Sequence, residues 1–292
     1  MKTIPDRLLT GFAWFSGMAT LLVVAILVFY LFGRGVTSIN AALFFGDTPW
    51  MDALLGKKPV FEGLWPALVG TLMLVALSTA IAIPIGIASG IYLAQYASGR
   101  IRALLSFLVD LLAGTPSIVM GLFGFTLILA LRRTLIPEAR TGLLLAAGCL
   151  AMLVLPYVIR TTQMALDAIP EHLRLLGPSV GLSKWQNIRR VLLPLASRGI
   201  LSGAILAIGR AVEDTAVILL TGVVAQAGIP RGLADKFEAL PFRIYYLAAE
   251  HRNQEQLDQG FGTALVLLFI TVVLFLFAMI FHRSAEKRWQ LH

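Results

Sequence analysis

Residues Leu68–Tyr96 read LVGTLMLVALSTAIAIPIGIASGIYLAQY, a continuously apolar stretch without a charged side chain. Each helical residue adds about 1.5 Å along the axis, so about 20 apolar residues cross the hydrocarbon core of a bilayer. The stretch therefore predicts a membrane-spanning helix. Pro84 removes one backbone hydrogen bond within it and is expected to kink the helix.

Further blocks of the same character predict an all-α bundle of six membrane-spanning helices. Helices are favoured over a membrane barrel because the blocks do not alternate between polar and apolar residues. The apolar core of the first block is too long for a signal peptide, so we expect that block to be retained. The six blocks run Gly11–Phe32, Leu64–Ala94, Leu104–Leu131, Thr141–Ile159, Gly199–Val223 and Gly260–His282.

The composition also places the chain in a membrane. Of its 292 residues 58% are hydrophobic and 14% are charged, with a mean hydropathy of +0.83, whereas soluble domains carry roughly 25% charged residues. The net charge of +8 does not indicate nucleic-acid binding, because basic loops are what membrane topology predicts. The single cysteine, Cys149, cannot form an internal disulfide.

The basic residues predict an orientation with both termini in the cytoplasm. With the N-terminus inside, 13 Lys and Arg residues are cytoplasmic and 10 are external, and Arg210 lies within the membrane. The excess is small, but it is concentrated between the fourth and fifth helices. Those six residues are Arg160, Arg174, Lys184, Arg189, Arg190 and Arg198.

Two common catalytic motifs are missing from the sequence. It contains no phosphate-binding loop of the form G-x-x-x-x-G-K-[ST] and no H-E-x-x-H. None of the four histidines stands at metal-ligand spacing from another His or Cys. The sequence therefore favours transport or a structural role over enzymatic activity, and we expect no cofactor to be bound by this chain.

Two predicted helices carry a small residue at every fourth position. Such a stripe follows one helix face and lets two backbones approach closely. Packing within the subunit is the simpler interpretation, and a seam between two subunits is the alternative. The stripes are Ser78, Ala82, Gly86 and Gly90 in the second helix, and Gly199, Gly203, Ala207 and Ala211 in the fifth.

A long polar segment joins the fourth and fifth helices. Residues Ile169–Pro194 are too polar to span and predict two short helices, broken at Gly177–Pro178 and around Gly181. The segment resembles the cytoplasmic coupling loop of ABC-importer permeases, whose pattern is E-A-A, three residues, Gly, nine residues and I-x-L-P. The E-A-A positions hold Leu175, Leu176 and Gly177, a departure that leaves the strength of coupling open. A solvated amphipathic connector is the alternative. The predicted coupling residues are Pro170, Leu175, Leu176, Gly177, Gly181, Leu193 and Pro194.

The third block contains Ala113–Gly124, AGTPSIVMGLFG, in which Gly and Pro loosen a helix while Thr115 and Ser117 supply hydroxyl groups. The stretch resembles the G-x-P-S-x-V-x-G-L-F-G signature of phosphate-importer permeases of the PstA type. This resemblance places Thr115 and Ser117 beside the substrate path. A kinked packing helix is the alternative.

The fifth block contains three ionisable residues, Arg210, Glu213 and Asp214, although charge within a membrane is costly. Arg210 and Asp214 are four residues apart and therefore share a helix face. The run is similar to R-A-x-G-E-T of the same family, with Asp214 at the glutamate position and Glu213 in place of glycine. The resemblance implies a substrate path past these residues, and a structural ion pair is the alternative.

Arg160 ends the fourth block in LPYVIRTT, which is similar to the family's L-P-x-V-I-R-x-T. Without the resemblance it would be an arginine extending from a helix end towards water. Arginine suits phosphate because its planar guanidinium can donate two parallel hydrogen bonds to the anion. We therefore expect Arg160 and Arg210 to offset the charge of the passing anion.

The resemblance implies a type I ABC importer permease fold with cytoplasmic coupling helices, in the inner membrane of a prokaryote. It divides the chain into a first helix and outer loop (1–63), a permease core (64–282) with the coupling loop at about 165–198, and a tail (283–292). The implied partners are a PstC-like permease, a pair of PstB-like ATPases that use ATP and Mg, and an external phosphate-binding protein.

Three alternatives stay open at this point. A permease for sulfate, molybdate or tungstate would share the coupling loop and the arginines. A secondary transporter or channel would have no use for a coupling loop. A membrane enzyme would need catalytic residues that the sequence does not contain.

Overall fold

The computed structural model describes residues 4–54, 60 and 63–290, with side chains described for 6, 8–54, 60 and 63–280. Within these ranges the chain is helical, apart from loops and one isolated parallel bridge between Val223 and Phe237. Six helical segments are long and apolar enough to cross a membrane, as predicted. The α-helices are α1 Ile4–Gly35, α2 Ala41–Phe45, α3 Trp50–Leu54, α4 Trp65–Gln95, α5 Gly99–Ala113, α6 Ser117–Thr134, α7 Leu143–Asp167, α8 Glu171–Arg174, α9 Leu176–Ser179, α10 Lys184–Asn187, α11 Leu193–Glu213, α12 Ala216–Thr221, α13 Leu240–Glu250 and α14 Gln254–Gln290.

The third predicted span is divided into α5 and α6 instead of running unbroken through Leu104–Leu131. The division falls at Gly114–Pro116, where Pro116 adopts φ −59° and ψ 139°. Proline has no N–H to continue the helical ladder and disfavours helical geometry in the residue before it.

The fifth predicted span is also divided. It was expected at Gly199–Val223, but α11 begins at Leu193 and ends at Glu213. Asp214 then adopts an extended conformation with ψ 120°, and the short α12 follows. By contrast, α4 and α7 continue through Pro84 and Pro156.

The centre of the bundle is α7, which is buried along most of its length. Glycines of α4 let this helix approach α7 closely: a Cβ on Gly86 would come within 2.6 Å of Val158 Cβ, and a Cβ on Gly90 would come within 2.8 Å of the Ile159 carbonyl oxygen. This close approach increases the dispersion contacts that hold membrane helices together.

A neighbouring face of α7 packs against α11. Gly199 lies against Ala165, and a Cβ on Gly203 would overlap Thr161 Oγ1. Both small-residue stripes therefore pack within the subunit, which supports the simpler of the two interpretations.

The loop between α12 and α13 closes one end of the bundle. The Leu143 N–H donates to the Asp235 carbonyl, and Phe237 is fully buried. The Leu240 N–H donates to Thr71 Oγ1 at 2.8 Å, which joins the start of α13 to α4. Helix α13 covers the short helix expected at Leu240–Leu247.

The first helix stands apart from this core. The most apolar part of α1 buries none of its residues within the chain. Its last turns contact α14, where Arg34 pairs with Asp258 at 2.9 Å and the Tyr30 ring meets Phe261 edge-on. The outer segment predicted at Gly46–Gly63 includes the short α3, and Pro59 lies outside the described residues.

Candidate functional site

Arg160 lies where α5 meets α7, and its guanidinium is held by three groups. Its Nε donates to Asp110 Oδ1 at 2.9 Å and its Nη1 donates to Gln163 Oε1 at 2.8 Å. Its Nη2 donates to the Ser106 carbonyl at 2.7 Å. Since 25% of the arginine side chain is exposed and 64% of the Asp110 side chain is exposed, the ion pair opens towards the surface of the chain.

Asp110 was missed by the sequence reasoning, although a lone acid within an apolar block was a usable signal. It lies in the last turn of α5, where its carbonyl accepts a hydrogen bond from the Gly114 N–H at 3.0 Å. Arg160 is therefore joined by its ion pair to the helix segment that ends at the Gly114–Pro116 break.

The two hydroxyl residues of that break are both half-buried. Thr115 Oγ1 donates to the Leu111 carbonyl at 3.0 Å and so remains attached to the end of α5. Ser117 is the first residue of α6.

Arg210 and Asp214 form the ion pair that their spacing predicts, with 3.1 Å between Arg210 Nη2 and Asp214 Oδ2. The acid is buried, with 2% of its side chain exposed, whereas 38% of the arginine side chain is exposed. Asp214 Oδ1 also accepts the Val217 N–H at 2.9 Å. Asp214 therefore fixes the first turn of α12 and holds Arg210 at the same time.

Glu213 lies beside this pair in sequence but differs from it in environment. Its side chain is exposed, whereas Asp214 is buried. The residue that replaces the family glycine therefore places its charge at the surface of the chain, not in the buried pair.

The two interrupted spans pack against each other through glycines. A Cβ on Gly121 of α6 would come within about 3 Å of the Ala216 and Val217 carbonyl oxygens at the start of α12. Gly124, one turn later, lies against Thr221 of α12. Because the two half-helices run side by side, the break at Gly114–Pro116 lies at nearly the same depth as the Arg210–Asp214 pair.

The two arginines lie at different depths. Gly203 is packed on Thr161, so it marks the level of Arg160 on α11. Arg210 follows Gly203 by seven residues, which is about 10 Å along the helix axis at 1.5 Å per residue. The structure therefore brings Thr115 and Ser117 to the level of Arg210, and places Arg160 nearer to the polar segment that follows α7.

That polar segment forms three short helices, α8, α9 and α10, instead of the two that were predicted. Gly177 and Pro178 lie inside α9, so the break expected there is wrong; the interruption falls two positions before Gly177, at Leu175. Gly177 is buried against the Asn187 side chain, and this contact folds the segment back on itself.

The break around Gly181 is present between α9 and α10. Gly181 has φ +79° and no atom near the position of a Cβ, so backbone conformation, not space, favours glycine there. Ser183 then caps α10 reciprocally with Gln186.

The surface of this segment is unusually apolar for a polar connector. Large apolar side chains remain exposed on it, to 55% at Leu175, 50% at Leu176, 75% at Val180 and 55% at Trp185. Pro170 precedes α8 and is also exposed, whereas Leu193 and Pro194 are half-buried at the start of α11. Contiguous exposed apolar groups of this kind mark interaction surfaces.

Comparison with known proteins places these features in a wider group. The family model described as "Binding-protein-dependent transport system inner membrane component" matches residues 82–291. The Phosphate transport system permease protein PstA 1 of Mycobacterium tuberculosis is 31% identical over 99% of this chain and 91% of its own length. PstA of Haemophilus influenzae is 31% identical over 91% of this chain and 89% of its own.

Solved structures agree in fold. A chain of a bacterial ABC transporter involved in the import of the acidic polysaccharide alginate superposes with a TM-score of 0.62 at 16% identity, covering 95% of this chain and 99% of that one. A chain of the MetNI methionine ABC transporter in an inward-facing conformation superposes with a TM-score of 0.54 at 18% identity. The match covers 77% of this chain and 97% of that one. The chain therefore has the type I importer permease fold.

Proposed function

Because the chain belongs to the family of inner-membrane components of binding-protein-dependent transport systems, we propose that it is the permease subunit that carries inorganic phosphate through an ATP-driven importer. The observation that carries this proposal is the similarity to phosphate transport system permeases along nearly the whole chain. The chemistry of the described site is compatible, because Arg210 lies at the break in one span and Arg160 is paired with the helix that ends at the break in another.

The interrupted helices supply a physical reason for a path at this place. A break in a membrane helix leaves backbone groups that need polar neighbours or water, so breaks are tolerated where they line a cavity. Thr115 and Ser117 add hydroxyl groups at one break, and Arg210 adds a positive charge at the other. In the proposed role the anion passes Arg210 and Arg160 in turn, as the subunit opens alternately to the two sides.

The exposed apolar surface of α8–α10 is the proposed contact with the ATPases. Leu175 and Leu176 occupy two of the family's E-A-A positions and are both half exposed. Apolar side chains there can enter a groove on a partner by the same hydrophobic burial that holds helices in grooves elsewhere. A pair of PstB-like ATPases, which use ATP and Mg, would transmit their closure through this surface.

The remaining proposed partners are a PstC-like permease and an external phosphate-binding protein. Members of this family act in binding-protein-dependent systems, so the class of each partner follows from the family, and the specific types follow from the phosphate assignment. The proposed orientation has both termini in the cytoplasm, which places Ile169–Pro194 on the ATPase side.

The test is ATP hydrolysis and phosphate uptake by the complete complex in proteoliposomes. Phosphate presented with the binding protein should stimulate both activities, and sulfate, molybdate and tungstate should not. Stimulation by one of those anions but not by phosphate would reassign the substrate. Uptake that continues without ATPases would refute an ATP-driven importer.

A further inference from the structure

The Asp110–Arg160 pair presents a problem for any anion that must reach Arg160. Phosphate binds arginine best through two parallel hydrogen bonds from neighbouring nitrogens. In this structure the Asp110 carboxylate lies against both Nε and Nη2, Gln163 accepts from Nη1, and the Ser106 carbonyl also accepts from Nη2. An anion that takes two parallel hydrogen bonds from neighbouring nitrogens must therefore displace one of these partners.

Of the three partners, Asp110 is the one whose displacement the structure favours. Ser106 contributes a backbone carbonyl within α5, and Gln163 is buried, with 7% of the residue exposed. The Asp110 side chain is 64% exposed, so its carboxylate can turn away from Arg160 without breaking packed contacts within the chain. It is also the only one of the three that carries a negative charge, as the proposed substrate does.

The Arg210–Asp214 pair shows the contrasting case. Asp214 is buried and its second oxygen holds the Val217 N–H, so leaving Arg210 would also uncap α12. Asp110 is exposed, and the hydrogen bond from the Gly114 N–H goes to its backbone carbonyl, so a turn of its side chain does not disturb that bond.

We propose that Asp110 is an internal substitute for the transported anion, a specificity-determining residue whose carboxylate occupies Arg160 when the path is empty, gives way to the anion, and returns to release it. This inference rests on the proposed phosphate permease function. Its physical basis is that a transport site must bind an ion strongly enough to admit it and weakly enough to let it leave. A competing carboxylate lowers the affinity of Arg160 without removing the arginine.

The experiment measures binding of radiolabelled inorganic phosphate to the purified permease–ATPase complex without the binding protein, together with the turnover of the complete importer. Asp110→Asn keeps an acceptor for Arg160 but removes the competing charge. Phosphate should then bind roughly three- to tenfold more tightly, the scale expected when a partly exposed charge pair is lost. Uptake turnover should fall, because release becomes slower.

The matched control is a second ion pair between the same two helices. Arg102 Nη2 of α5 lies 2.6 Å from Asp167 Oδ2 of α7, with 40% and 35% of the side chains exposed. Asp167→Asn removes this α5–α7 pair at a different depth, together with a longer 3.9 Å contact from Asp167 to Arg174 of α8, and should leave phosphate binding unchanged. Asp110→Glu restores the carboxylate and should return binding towards that of the unmodified chain, which a merely structural role of the aspartate shape would not predict.

The outcomes separate this inference from the function on which it rests. If the unmodified complex takes up phosphate and Arg160→Gln abolishes uptake, but Asp110→Asn binds phosphate no more tightly than Asp167→Asn, the role of Asp110 is refuted and the permease function stands. If the unmodified complex does not transport phosphate, both fall together. Should Asp110→Asn fail to assemble, Asp110→Ser applies the same test with a smaller neutral side chain.

Discussion

Neutralising the Arg210–Asp214 pair one residue at a time should have unequal consequences. Breaking a buried ion pair by removing one partner typically costs about 3–5 kcal/mol, because the other charge is left buried and unpaired. Asp214 is such a charge, with 2% of its side chain exposed, whereas 38% of the Arg210 side chain lies at the surface of the chain, so the pair is only partly buried. Discounted for this partial burial, Arg210→Gln should destabilise the chain by about 2 kcal/mol.

Asp214→Asn should cost less. The amide oxygen can still accept the Val217 N–H, so the start of α12 remains capped. The arginine that is left without its acid is already partly exposed at the surface of the chain, so the loss should be about 1 kcal/mol, close to that of an exposed pair. The double variant, Arg210→Gln with Asp214→Asn, should lose less stability than Arg210→Gln alone, because it leaves no buried carboxylate without a cation.

The assay has two readings for each variant: the fraction of complex that stays assembled after graded heating in detergent, and phosphate uptake normalised to assembled complex. Arg34→Gln is the stability control, since Arg34 and Asp258 form a pair of 2.9 Å with both side chains partly exposed, at 39% and 30%. That control should lose under about 1 kcal/mol. Arg210→Lys keeps the charge but loses the planar pair of donors.

If Arg210 contacts the anion, the double variant should assemble and still fail to transport, and Arg210→Lys should transport poorly. Full uptake by the double variant would refute the substrate role and leave a structural ion pair. Asp214→Asn proving more destabilising than Arg210→Gln would refute the energetic argument, which depends on the acid being the more deeply buried partner.

Three further predictions address other parts of the chain. Gly181→Trp should uncouple ATP hydrolysis from uptake while leaving the chain in the membrane. The reason is that φ +79° is unfavourable for any side chain, so the loop must rearrange. Normal coupling in this variant would count against the proposed ATPase contact. Cysteines introduced at Thr115 and Ser117 should react with a water-soluble thiol reagent in at least one transport state, and the buried Cys149 serves as the unreactive reference. If the introduced cysteines are protected from the reagent in every state, the helix there has only a packing role. Gly90→Ala should reduce thermal stability by about 1–3 kcal/mol through overpacking, since its Cβ would meet the Ile159 carbonyl and Thr162, whereas Gly148→Ala, with open space around it, should be neutral.

The spans were predictable because hydropathy is summed over many residues, and a block such as Leu68–Tyr96 needs no tertiary information to be recognised. The division of the fifth span at Asp214 was not, because the sequence there contains neither Pro nor Gly. What decides the break is that the Asp214 carboxylate takes the Val217 N–H, a choice that becomes visible only when the side chain is placed.

The polar segment Ile169–Pro194 shows the same limit of prediction from sequence. Gly181 was recognised as a break from its residue type alone, since glycine is the residue that tolerates positive φ. Gly177–Pro178 carried a similar signal but lies inside α9, because Pro178 is near the start of a four-residue helix, where its missing N–H is not needed. The buried contact of Gly177 with Asn187 is a tertiary reason for glycine, and a pattern of neighbouring residues cannot reveal it.

The ion pairs of Arg160 and Arg210 explain why both arginines can remain charged inside a membrane protein without being equivalent. Arg210 contacts Asp214 through Nη2 and keeps 38% of its side chain exposed, so a guanidinium with five N–H donors can receive an anion and keep its buried partner. Arg160 has a chain partner on each of its three nitrogens, so an anion can take two parallel hydrogen bonds from it only by exchange. In the proposed path, the anion meets a site that accepts it by addition and, about 10 Å along the helix axis, a site that accepts it by displacement of Asp110. We expect addition to favour capture and displacement to favour release, a difference that follows from how deeply each aspartate is buried.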